Sequence, residues 1–254
     1  INCTIDIAIS ATCSQPRYKI IKDLIHSGIK YFLLEKIVFQ SIDQFDTIIK
    51  LLEDNKAKAY CNYPRRYYSN YVGIKKLIDE KGAQLDMNVI GGNNGLGCNA
   101  IHFIDLFEYI TNSQISDCTY ELSEDNEKNK RGKEYKDVNG LMIIKNKRDD
   151  YLSIYFDPTY RSGISELFHI NGRKYIFSAR DKKEYQFNNN KILSNKYVVL
   201  QTSELTSIIV EDIIKQKTKL PTLQDTRNAH MHLFEMIMSG LNLQFTNKSL
   251  CPIT

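Results

Sequence analysis

Residues 5–61 read IDIAISATCSQPRYKIIKDLIHSGIKYFLLEKIVFQSIDQFDTIIKLLEDNKAKAYC, and the rhythm of this stretch decides the fold. Ile5–Ser10 is a short β-branched run. Pro16 then suits the first turn of a helix. Tyr18, Ile21, Leu24 and Ile25 recur at helical spacing, and Gly28 closes the segment in the manner of a helix C-terminus. Ile29–Leu34 is a second apolar strand. Ser41 is a good N-cap for a helix carrying Ile42, Phe45, Ile48, Ile49 and Leu52 on one side. Ala57–Cys61 is a third short strand. Strands alternating with helices at this spacing predict a parallel sheet with crossover helices.

In such sheets, ligands bind beyond the carboxyl ends of the strands. Those ends are Ser10–Ser14, Glu35–Phe39 and Asn62–Arg66. Glu35-Lys36 directly follows an apolar strand, where a charged pair is costly unless it is solvated or used. A lysine there can donate a proton or hold a hydroxyl group. An exposed strand terminus carrying two charges is the competing reading. Asn62–Tyr71 (NYPRRYYSNY) sets Arg65 and Arg66 among tyrosines. The arginine fork suits sugar hydroxyls or a phosphate and tyrosine offers a stacking face, while a linker stiffened by aromatics explains the same residues.

Beyond Tyr71 the pattern changes. A helix is expected through Lys75–Lys81, an alternating strand at Leu85–Ile90, the glycine-rich turn GGNNGLG, and a helix over Asn99–Ile110. Short half-polar strands follow at Ser116–Leu122, Val138–Lys145, Tyr151–Phe156, Ser165–Ile170, Arg173–Ser178, Lys183–Phe187 and Tyr197–Leu200. Turns such as Asn171-Gly172 separate several of them, which predicts an antiparallel sheet with one open face. Helices at Glu204–Gln216 and from Thr222 to Met238 close the chain. The expected organisation is α/β, a partial Rossmann-type parallel sheet in residues 1–66. An α+β domain with a large, mainly antiparallel sheet follows in 67–254, its last helix able to pack back on the first domain.

Composition narrows the function. The 254 residues are 42% hydrophobic and 25% charged, which is globular. No apolar run approaches the roughly 20 residues of a membrane span, and Ile1–Ser10 show no basic region followed by an apolar one, so no signal peptide is expected. A net charge of +4, from 34 basic and 30 acidic residues, makes no electrostatic case for nucleic acid. Cys3, Cys13, Cys61, Cys98, Cys118 and Cys251 form no CxxC pair, so reduced thiols in a cytoplasmic protein are expected, with no metal. His230 and His232 lie two apart on a helix and face different sides.

Two features of Gly91–Asp105 (GGNNGLGCNAIHFID) carry chemistry. Gly95-x-Gly97-x-x-Ala100 fits the dinucleotide fingerprint. The preceding strand, holding Asp86 and Asn88, does not suit a central parallel position, so the glycines are read as allowing close backbone approach. His102 and Asp105 share a helix face at i and i+3. A hydrogen-bonded core histidine is the alternative for His102. Cys98 and His102, at i and i+4, lack the third orienting group of a cysteine hydrolase.

Taken together, these pieces resemble the Gfo/Idh/MocA family, the glucose-fructose oxidoreductase and inositol dehydrogenase group. IDIAISATCSQPRYKIIKDLIHSGIKYFLLEKIVF is similar to its strand, Thr-Pro-Asn-type turn, helix, Gly, strand and Glu-Lys-Pro. NYPRRYY is similar to its arginine-bearing segment, and CNAIHFID to its Asp-x-x-x-His-x-x-Asp. PTLQDTRNAHMHLFEMIMSG is similar to its closing helix. The resemblance implies a Rossmann domain followed by a large-sheet domain, with NAD or NADP oxidising or reducing a sugar or cyclitol hydroxyl.

By position, the resemblance makes Lys36 the lysine that contacts substrate and the nicotinamide ribose. It makes His102 the histidine that exchanges the proton as hydride moves, the two converging on one alcohol carbon. Ala11, Thr12, Cys13, Ser14, Glu35 and Lys36 would line the cofactor. Arg65, Arg66, Cys98, Asn99 and Asp105 would face substrate. A homo-oligomer is implied too. The chain departs from the family at Ile37, in place of proline, and at Cys98, in place of aspartate, with Asn99 or Asn94 a substitute hydrogen-bonding group. The family's phosphate loop falls about sixty residues before Glu35, ahead of this chain. The alternative is a non-catalytic protein that keeps the fold and binds a sugar or other ligand. Surface-polysaccharide biosynthesis is the expected setting.

Overall fold

A computed structural model describes residues 5–92, 95–123, 127–128, 132–160, 163–188 and 191–254. The chain divides into two compact units. The first comprises residues 1–64, 129–136 and 201–254; the second comprises 65–128 and 137–200. The chain crosses from the first unit to the second after Pro64 and returns to the first at Asn129–Lys136 and at Gln201–Thr254.

In the first unit, β1 (Ile7–Ser10), β2 (Tyr31–Leu34) and β3 (Lys58–Cys61) form a parallel sheet in that order. Ser10 is level with Leu34 and Leu34 with Cys61, so the three carboxyl ends lie side by side. Between them run α1 (Ser14–His26) and α2 (Ile42–Asp54). α2 starts where Ser41 accepts a hydrogen bond from the Gln44 amide, and it buries Ile42, Phe45, Ile48 and Leu52. α1 ends before Gly28, whose φ of +94° is open to glycine at little cost. Its buried face is Ser14, Arg17, Ile21 and Ile25; of the expected stripe Ile21 and Ile25 are buried, while Tyr18 and Leu24 are half-buried.

The C-terminal helices α5 (Thr202–Ile214) and α6 (Leu223–Gly240) belong to this unit. α6 opens on a capping box in which Thr222 and Asp225 satisfy each other's backbone amides. Its buried residues include Leu223, Leu233, Phe234 and Ile237, and it packs on α2 and β3.

The second unit is built on an eight-stranded sheet. Its members are β4 (Leu85–Gly91), β5 (Ile115–Leu122), β8 (Gly140–Asn146), β9 (Tyr151–Phe156), β10 (Ser165–Ile170), β11 (Arg173–Ser178), β12 (Lys183–Asn188) and β13 (Lys191–Lys196). The short strands β6 (Glu127–Lys128) and β7 (Lys136–Asp137) form a separate ribbon. Across the large sheet the order is β13-β12-β11-β10-β4-β9-β8-β5. Every neighbouring pair is antiparallel except β4 with β9 at the centre.

Tyr197–Leu200 is not a strand; the edge is formed by the polar segment Lys191–Lys196, and Tyr197 is buried beyond it. Helices α3 (Ser69–Lys81) and α4 (Leu96–Thr111) pack against each other, and α4 lies on β4 and β9. Burial alternates along β4, β8, β9 and β10, as one covered and one open face require. Leu85, Met87, Met142, Ile154, Phe156 and Phe168 form the covered face, while Ile90, Ile143 and Tyr155 stand on the open one.

Candidate functional site

In the first unit, the expected residues gather where the parallel strands end. Ala11 and Thr12 are exposed, and Cys13, Glu35 and Lys36 are half-buried. The Asn62 amide, just after β3, donates to Glu35 Oε1 at 2.5 Å, and the Ser10 and Thr12 hydroxyls are 3.2 Å apart. The Lys36–Ile37 peptide bond is cis. Ser14 has another task. It is fully buried, its hydroxyl donates to the Ile253 carbonyl at 2.6 Å, and its amide donates to Thr254 Oγ1 at 3.0 Å. It therefore tethers the C-terminal segment.

Sequence reasoning missed Arg17. Only 1% exposed, it reaches from α1 beneath both loops. Nη1 donates to the carbonyls of Glu35 and Ile37, each at 2.5 Å, and to Val38 at 3.2 Å, while Nη2 donates to the Thr12 carbonyl. The signal was present: Arg17, Ile21 and Ile25 are spaced four apart, so an arginine sits on the apolar stripe of α1.

In the second unit, α4 carries Cys98, Asn99, His102 and Asp105. The glycine fingerprint at its start is answered by the protein itself. Asp137 Oδ1 accepts from the Gly97 amide at 2.7 Å, and the Val138 carbonyl accepts from Leu96 at 2.8 Å. A carboxylate thus occupies the position a phosphate takes at a helix N-terminus. Burial raises the Asp137 pKa, opposed by hydrogen bonds from the Cys98 thiol and the amides of Gly97, Val138 and Cys98. Gly95 has φ +67°, and a Cβ there would run into the Asp137 carboxylate. Asn94 lies outside the described residues.

His102 is half-buried on α4, and Asp105 is buried one turn later. Asp105 is held by Arg66: Nη2 approaches Oδ1 at 2.7 Å, and Nε lies 3.1 Å from both oxygens. Burial pushes the Asp105 carboxyl up, against the pull of Arg66. Arg65 instead lies 4.5 Å above the Phe103 ring. Near it is a second unanticipated group: buried Glu166 accepts from the Tyr71 hydroxyl at 2.8 and 2.9 Å, and that oxygen is 2.5 Å from the Tyr197 hydroxyl. Burial raises Glu166, with Arg65 opposing. No local pattern marks this network, because its members come from α3, β10 and the segment after β13.

Among the described residues, no three His, Cys, Asp or Glu side chains come together as a metal site, and no helix is long and apolar enough to cross a membrane. Cys13, Cys61, Cys98, Cys118 and Cys251 are thiols outside any disulfide.

A parallel sheet with aligned carboxyl ends and, in the second unit, a large mixed sheet backed by helices make up a fold shared with solved oxidoreductases and with a transcriptional regulator. The transcriptional regulator Gal80p from Kluyveromyces lactis superposes with a TM-score of 0.71 at 14% identity, over 96% of this chain and 75% of that one. An oxidoreductase from Agrobacterium radiobacter, solved with NAD+, L-tartaric acid and magnesium, gives 0.72 at 10% identity, over 95% and 79%. The dehydrogenase MviM from Clostridium difficile gives 0.69 at 14%, over 92% and 79%. No protein-family model and no curated protein sequence matches the chain.

Proposed function

We propose that the chain works as an NAD(P)-dependent oxidoreductase that moves hydride to or from a hydroxyl or carbonyl of a sugar, nucleotide sugar or cyclitol, in surface-polysaccharide biosynthesis. The observation that carries this reading is the lysine at the carboxyl end of β2, in a fold shared with an oxidoreductase solved with NAD+ and a hydroxy acid. The exposed residues Ala11 and Thr12, with half-buried Glu35 and Lys36 at the neighbouring strand end, suit the nicotinamide end of the cofactor. The start of α4 does not fit its pyrophosphate, since Asp137 already caps those amides.

The dinucleotide, when bound, supplies the hydride donor or acceptor. Lys36 would hold the substrate hydroxyl and the nicotinamide ribose, and His102 would take or return the hydroxyl proton. Arg65, Asn99 and Cys98 face substrate, and the Arg66–Asp105 pair stiffens the ground beneath them. Reduced thiols are in keeping with a cytoplasmic setting. The open sheet face, with Ile90, Ile143 and Tyr155 each about two-fifths exposed or more, is assigned to a homo-oligomer contact.

Fluorescence titration with NADH and NADPH tests the reading, followed by hydride-transfer assays on a panel of sugars and nucleotide sugars. Saturable binding is expected. Lys36→Ala and His102→Ala should each lower turnover about 10²-fold or more with the fold intact. Unchanged turnover removes that residue from the mechanism. Light scattering tests the oligomer.

The second reading, a ligand-binding protein without catalysis, is favoured by Ile37 and Cys98 and by the likeness to a transcriptional regulator. Sugar binding with a flat dinucleotide titration would select it.

A further inference from the structure

We infer that Arg17 is a positioning residue whose guanidinium locks the two loops at the carboxyl ends of β1 and β2 together and so sets where Lys36 points. The inference rests on the reading of Lys36 as a functional group. Arg17 is buried and offers no surface to a ligand, so its work is done through others.

The Arg17 guanidinium binds main chain. Four main-chain carbonyls accept from it, and all belong to these two loops: Thr12 after β1, and Glu35, Ile37 and Val38 after β2. Two of them, Glu35 and Ile37, bracket Lys36 in the chain. The backbone on both sides of the lysine is therefore fixed to a single planar cation, and that cation is fixed to the neighbouring loop. Asn62 extends the set to the third strand end by holding the Glu35 carboxylate and by donating its backbone amide to the Leu34 carbonyl at 2.8 Å.

The chemistry demands arginine. A guanidinium directs donors along separate edges of a rigid plane, so one edge serves Thr12 while the other serves the β2 loop. A lysine at 17 would keep the charge, but its compact ammonium cannot serve both edges at once. The expected consequence of Arg17→Lys is a folded protein with Lys36 displaced.

The test reads Lys36 directly. The native chain, Arg17→Lys and Arg17→Ala are acetylated with a limiting N-hydroxysuccinimide ester, and the rate at each lysine is resolved by peptide mass spectrometry. Exposed Lys50 on α2 is the internal reference. Folding is followed by circular dichroism. The ratio of Lys36 to Lys50 labelling should change about threefold or more in Arg17→Lys, and guanidinium ion added to Arg17→Ala should move it back towards the native value. An unchanged ratio in folded Arg17→Lys overturns the inference. Failure of Arg17→Lys to fold also overturns it, because Arg17 would then serve the core as a whole. The labelling needs no dinucleotide, so a flat NADH titration sinks the oxidoreductase reading while leaving this result to stand or fall separately.

Discussion

His230 makes the stability of the first unit depend on pH. Its ring is fully buried on α6, 4.7 Å from the Phe45 ring and 5.8 Å from Phe234. Nδ1 donates to the Thr226 carbonyl at 2.9 Å, which leaves Nε2 as the unprotonated nitrogen in apolar surroundings. Burial, with the nearby Arg17 charge adding to it, holds the imidazole pKa down at about 4, against 6.5 for the ordinary side chain. The unfolded chain therefore binds a proton first as pH falls, and stability falls with it. The contribution is fully present above pH 6.5, declines below it, and is gone below the folded-state value. Each pH step of one between the two pKa values is worth about 1.4 kcal/mol, so the full loss is about 3 kcal/mol. Between pH 7.5 and pH 5.0 it is about 2 kcal/mol.

His230→Phe keeps an aromatic ring in the same packing and removes the titration. Urea unfolding of both proteins at the two pH values gives four free energies. Hydrogen exchange on α6 assigns the transition to the first unit. Every other group that titrates in this range cancels in the difference between the two proteins. The native chain should lose about 2 kcal/mol more than the variant on going to pH 5.0. Equal losses would mean that the imidazole is solvated or charge-compensated in the folded state, and the reasoning from burial would fail.

Other substitutions probe the second unit. Gly95→Ala pushes a Cβ into the Asp137 carboxylate at a positive φ and should cost about 1–3 kcal/mol, seen as a lower thermal midpoint. Asp105→Ala leaves the Arg66 guanidinium without its buried partner and should cost about 3 kcal/mol in urea unfolding. Tyr71→Phe takes the hydroxyl away from Glu166 and Tyr197, for about 1–3 kcal/mol by the same measurement.

Local pattern carried much of this structure. Tyr151–Phe156, Ser165–Ile170 and Arg173–Ser178 form strands with the expected ends, because alternating apolar side chains and a tight turn are properties of a few consecutive residues. Ser41 was legible as a cap for the same reason. Tyr197–Leu200 shows where the pattern misleads. Its apolar side chains announce burial, which Tyr197 achieves outside the sheet, whereas the neighbouring edge strand needs only backbone pairing and is made of exposed residues.

By itself, the amino-acid order determined the alternating strands and helices, and the presence of Lys36 and His102 on a strand end and a helix. Tertiary structure alone decided how the polar groups were paired. It gave Arg17 to four carbonyls, Ser14 to residues 253 and 254, Arg66 to Asp105, Asp137 to the start of α4, and Glu166 to the Tyr71 hydroxyl. Periodicity reports which side of an element is apolar. A buried charge is instead stabilised by whichever donor or acceptor the fold brings within about 3 Å, and that partner often stands on another element, far away along the chain.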